Sequence, residues 1–147
     1  MKNNQKGITL VALVITIIVL LILAGVTIAA LSGDNGILKR GSESKVSTNI
    51  ANVKDVFNTV AAEGITEYYN SKYVTGDNTL TDSIGKTVAD KIYASSTSKT
   101  YCTGDAATAS GTSYTIVTNV KDADGAALTA TIDANGKITW TNDKMTK

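Results

Sequence analysis

The sequence predicts an α+β protein: a long N-terminal α-helix, apolar in its first half and amphipathic in its second, packed on a small C-terminal antiparallel β-sheet. Three observations carry this. Residues 8–31 contain no charged side chain, and residues 46–68 place apolar side chains at spacings of three and four. The last third alternates β-branched runs with Asp-Ala-Asp-Gly and Asp-Ala-Asn-Gly turns. At 147 residues the chain has room for the apolar segment and one small globular domain.

A helix over residues 8–31 at ~1.5 Å per residue reaches ~36 Å, enough to cross a ~30 Å hydrocarbon core with some tilt. Three readings compete for this segment. A cleaved secretory signal has an apolar region of only ~7–15 residues and a small-x-small cleavage site, and Ala29-Ala30-Leu31-Ser32 fits that pattern poorly. A permanent anchor needs only the apolar length and leaves Gly7 an accident. The third reading also uses the leader MKNNQKG, residues 1–7, which is polar, basic and ends in glycine at the edge of the span.

Residues 7–13, GITLVAL, align without gaps on the start of type IV pilin and pseudopilin precursors, and the N-terminal 40 residues closely resemble prepilin-like proteins of clostridial-type bacteria. The resemblance implies that a prepilin peptidase cuts between Gly7 and Ile8 on the cytoplasmic side. Ile8 then becomes the N-methylated first residue, and glycine suits the cut because a residue without Cβ lets the backbone lie extended in a narrow cleft. It further implies that Ile8, Thr9, Leu10, Ala12 and Leu13 open an assembly helix. Its partners are membrane lipid before assembly, the membrane-embedded assembly machinery, and other copies of the chain in a cell-surface filament.

One departure stands out. The family usually carries a glutamate at the fifth residue after the cut, thought to pair with a neighbouring N-terminal amine, and begins with phenylalanine; here those positions are Ala12 and Ile8. The chain therefore docks by apolar packing alone, occupies a special position such as a tip, or is not assembled. The alternatives are an uncleaved single-pass membrane protein with a small extracellular binding domain, and a minor pilin or pseudopilin of a secretion or DNA-uptake system.

Composition narrows the chemistry. The chain has no histidine and one cysteine, so Cys/His metal clusters and Ser/His or Cys/His catalytic sets are absent, and neither an enzyme nor a cofactor is expected. A disulfide within one chain is impossible. The formal net charge is +1, and loss of Lys2 and Lys6 with the leader leaves −1 before the new amine is counted, so bulk charge gives no reason to expect nucleic-acid binding. Lys2 and Lys6 before the span are nearly balanced by Lys39 and Arg40 after it. Orientation thus rests on the resemblance, which puts the leader in the cytoplasm and the C-terminal domain outside.

After the span, Ser32-Gly33-Asp34-Asn35-Gly36 predicts a helix break or bend, with Gly25 a second candidate for a melted stretch. Residues 32–73 then form the amphipathic part. Val46, Ile50, Val53, Phe57, Val60, Gly64 and Tyr68 make one stripe, while Lys45, Asn49, Asn52, Lys54 and Glu63 lie off it. Residues 74–147 make the head. Leu80, Ile84, Val88 and Ile92 predict a short helix over about 81–93, and 94–112 reads as loop.

The runs YTIVTNV (114–120), ALTATI (127–132) and KITWT (137–141) predict a three-stranded meander. Tyr114, Ile116, Leu128, Ala130, Ile132, Ile138 and Trp140 share one face, which Val117 and Val120 do not fit. Asp122, Asp124, Asp133 and Asn135 are calcium candidates by ligand type. The glutamate and third ligand pair of a full loop are missing, and tight-turn chemistry accounts for all four. Tyr68, Tyr69 and Tyr73 read as amphipathic side chains ending a packed helix, in preference to an electron path or a DNA-stacking surface. Cys102 reads as a silent thiol, with an intermolecular bridge as the alternative.

Overall fold

The computed structural model describes residues 5–33, 36–76 and 82–146. Contacts divide the chain into two units, Met1–Ser42 and Glu43–Lys147.

In the first unit, α1 (Gln5–Ser32) is continuous through Gly25, so that glycine does not melt the helix. It ends where the glycine cluster predicts. The Gly33 N–H donates to Ala29 O at 3.1 Å and the Gly36 N–H to Gly33 O at 2.7 Å. A Cβ on Gly36 would run into the Leu31 carbonyl, so only glycine fits this position. Asp34 and Asn35, also part of the expected break, lie outside the described residues. The next helix, α2 (Ile37–Tyr69), opens with the Arg40 N–H donating to Gly36 O.

The second unit holds the core. Ile50, Val53, Phe57, Val60, Gly64 and Tyr68 are buried along α2, joined by Ala61, and Val46 packs at the margin. Lys45, Asn49, Asn52 and Glu63 are exposed, whereas Lys54 is half-buried, its ammonium 5.9 Å from the Trp140 ring centroid and ion-paired with Asp143 at 2.8 Å. After Tyr69 the chain continues as a π-helical turn, Asn70–Val74, in which the Thr75 N–H reaches back to Asn70 O.

Helix α3 (Ile84–Ala94) begins after Ser83, whose Oγ accepts the Lys86 N–H at 3.2 Å. Its start is thus later than the apolar spacing alone suggested; Leu80 and Thr81 lie outside the described residues. Val88, Ala89, Ile92 and Tyr93 face the core.

The stretch 94–112 is not all loop. It contains the single turn α4 (Ser96–Lys99) and a short edge strand β1 (Thr108–Ser110). With β2 (Ser113–Lys121), β3 (Ala127–Ile132) and β4 (Ile138–Thr141), β1 makes a four-stranded antiparallel meander in place of the three strands expected. The expected face is present. Ile116, Leu128, Ala130 and Ile132 are buried, with Tyr114, Ile138 and Trp140 packed against them.

Val120, expected off this face, packs against the core after all, in alternation with Ile116 and Thr118, whereas Val117 points outward; the register with β3 is irregular between Val117 and Lys121. Thr118 is turned inward there, and its Oγ1 accepts the Val120 N–H at 3.3 Å. Residues 101–103 then pair along that half of β2, the Thr103 N–H donating to Val117 O and the Asn119 N–H to Tyr101 O.

Candidate functional site

The candidate processing and assembly segment is α1. Gly7 and Ile8 lie in its first turn, helical in the backbone. The bond between them is not extended in this state, and a protease that takes an extended substrate must first unwind one turn. That costs little, because the first four N–H groups of a helix have no intrahelical acceptor.

From Thr9 to the end of α1 every residue is exposed, including Leu10, Ala12 and Leu13. Leu10 and Leu13 are 64% and 60% accessible, and no apolar side chain of the span has a protein interior to enter. A helix apolar on all sides is stable only in lipid or among other helices. The two mid-span hydroxyls suit such surroundings. Thr16 Oγ1 donates to Leu13 O at 2.7 Å, and Thr27 Oγ1 lies 2.9 Å from both Leu23 O and Ala24 O, so neither is left unsatisfied in hydrocarbon.

Residues 2–28 match the family described as the prokaryotic N-terminal methylation motif. The chain carries a type IV prepilin-type signal. No curated protein and no solved structure matches it. The prepilin-type match spans the basic leader, the Gly7–Ile8 junction and most of the apolar helix, which is consistent with membrane anchoring by α1. The head of this prepilin-like chain, Glu43–Lys147, lies wholly outside the matched residues.

The four calcium candidates do not converge. Asp122 and Asp133 belong to turns at opposite ends of β3, about 20 Å apart for a six-residue strand at ~3.3 Å per residue. Each carboxylate is engaged by its own turn. Asp122 Oδ1 accepts from the Asp124 and Ala126 N–H groups, and Asp133 Oδ1 from those of Asn135 and Lys137. Asp124 is ion-paired with Lys144 at 2.9 Å. The arrangement is that of Asx turns.

The tyrosines do come together. The Tyr69 and Tyr73 rings stack at 5.9 Å, Tyr68 meets Tyr69 edge-on at 5.6 Å, and Lys72 lies near Tyr68 and Tyr73. The Tyr68 hydroxyl accepts from Lys72 Nζ and, foremost among its neighbours, holds that ammonium above the usual lysine range. Nearby, Lys91 is likewise raised, by its hydrogen bond to Glu67 at 2.6 Å. The three tyrosines were marked by the sequence, whereas the Lys72 and Glu67–Lys91 contacts were not, because the latter joins residues 24 apart in the chain.

Cys102 is half-buried, its Sγ 3.5 Å from Ser98 O, and burial pushes its thiol up to about 11. The thiolate is the nucleophile, so alkylation at neutral pH is expected to be slow and to rise about tenfold per pH unit up to about pH 10. A neutral-pH rate equal to that of a free cysteine peptide, measured by mass spectrometry, would contradict this environment.

Proposed function

We propose that this chain is a structural subunit of a type IV pilus-like filament, cut between Gly7 and Ile8 by a prepilin peptidase and N-methylated at Ile8. One observation carries the reading: the methylation motif sits on a helix whose apolar side chains are exposed on every face, while the folded head forms its own separate core. Such a helix is solvated first by lipid. Extraction by a membrane assembly machine then exchanges lipid contacts for contacts with neighbouring helices, so Thr9, Leu10, Ala12 and Leu13 work by packing. The role is assembly without catalysis, at the cytoplasmic membrane as precursor and at the cell surface as filament.

N-terminal sequencing and intact mass of protein from the native host test this. The expected mature chain begins at Ile8 and carries a methyl group. Mature protein that retains residues 1–7 supports the second reading, an uncleaved single-pass protein with an outer binding domain, which Ala12 favours because it removes the usual partner for a freed amine. Thin filaments that vanish on deletion of the chain mark a major subunit; filaments that persist mark a minor pilin or pseudopilin.

A further inference from the structure

Asn135 and Gly136 lie in the β3–β4 turn, and an Asn–Gly pair is the dipeptide most open to spontaneous deamidation because no glycine side chain shields the attacking nitrogen. In the folded head that nitrogen is held elsewhere. The Gly136 N–H donates to Asp133 O at 3.0 Å, while the Asn135 and Lys137 N–H groups both donate to Asp133 Oδ1 at 2.9 Å. Gly136 has φ +82° and is buried against α3, where an added Cβ would lie 2.9 Å from Ile84 Cγ2. The preceding residue is also fixed, Ala134 O accepting the Gly85 N–H of α3.

We propose that Asn135 is a covalent modification site, latent in the folded head, which deamidates when the β3–β4 turn comes away from α3. In the reaction the Gly136 amide nitrogen, freed of its proton, attacks Asn135 Cγ, and the carboxamide nitrogen leaves as ammonia. Water opens the resulting succinimide to aspartate or isoaspartate. No enzyme or redox partner is needed. Isoaspartate inserts a methylene into the backbone between Asp133 and Lys137, so the two N–H groups no longer meet one carboxylate oxygen, and a new negative charge arises beside the α3 contact. A reversible opening of the turn thereby becomes a permanent mark, whatever the chain's role in the cell.

The test is a time course on the full-length chain in detergent at mildly alkaline pH, with and without urea, read by peptide mapping and isoaspartyl methyltransferase labelling. Mapping separates Asn135 from the other Asn–Gly pair, Asn35–Gly36. Several hydrogen bonds hold the turn, those above and one from the Asp133 N–H to Lys137 O, so conversion at Asn135 is expected to be roughly a hundredfold or more slower in the native chain than in urea. Asp133→Ala is expected to speed the native reaction about tenfold, and Asp133→Asn, which keeps an acceptor oxygen, to restore most of the protection. If Trp140 fluorescence shows that Asp133→Ala unfolds the head, the wild-type comparison alone decides. Equal rates with and without urea, or no conversion at Asn135 in urea, overturn the proposal.

Discussion

Phe57→Ala is expected to lower the stability of the head by about 3–5 kcal/mol, the usual cost of truncating a buried aromatic and leaving its cavity. Phe57 is fully buried in the α2 stripe, with its ring 5.4 Å from that of Trp140 on β4. The one side chain therefore ties the helix to the far edge of the sheet. Domains of this size hold only about 5–15 kcal/mol in total, so the variant loses a large fraction of its margin. Urea unfolding of the full-length chain in detergent, followed through the single Trp140, reads the loss as a fall in midpoint at unchanged slope. Thr59→Ala, on the exposed side of the same helix, is expected to stay within about 0.5 kcal/mol. Similar small effects for both would mean that the stripe is not seated on the sheet.

The second large effect is a reversal of sign. Replacing glycine by alanine in a helix ordinarily gains up to about 1 kcal/mol. Gly41 in α2 should follow that rule, since an added methyl meets nothing. Gly85→Ala is expected instead to cost about 1–3 kcal/mol, because the new Cβ would collide with the Asp133 carbonyl, a backbone atom that cannot rotate away. The same shift would stretch the 3.2 Å bond from the Gly85 N–H to Ala134 O. Thermal unfolding of the two variants should move in opposite directions. A stabilising Gly85→Ala would show that the β3–β4 turn does not press on α3.

What could be read from the sequence was whatever repeats along the chain at short range. The α2 stripe announces itself because every third or fourth side chain meets one surface, and the β2, β3 and β4 runs do so through their β-branched residues and Asx-Gly turns. β1 escaped because its three residues, Thr108, Ala109 and Ser110, are all exposed and have no apolar face to alternate. Its place is set only by pairing with Ser113, Tyr114 and Thr115. The later start of α3 had a local cue in Ser83, with cap chemistry that the apolar spacing ignored. Thr118 inside and Val117 outside follow the alternation set by Tyr114 and Ile116, whereas the pairing of residues 101–103 with that half of β2 could not be read locally. In the candidate site, the N-terminal methylation motif over residues 2–28 was legible since leader, glycine and apolar helix are contiguous in sequence. In the filament proposed above, whatever replaces the family's usual carboxylate at Ala12 would come from neighbouring copies, and no periodicity within one chain encodes it.

The core that joins α2 to the sheet also orders events during synthesis. Phe57 and Trp140, which meet in the finished head, are separated by about 80 residues, or some 4–16 s of translation at 5–20 residues/s. For that interval the α2 stripe has no sheet to cover, whereas α1, already emerged, needs no later residue to enter lipid. An α1 that anchors in a membrane can therefore enter it before the head folds, while the half-made chain waits with its stripe uncovered. That interval is when a chaperone has most to shield and a protease most to cut.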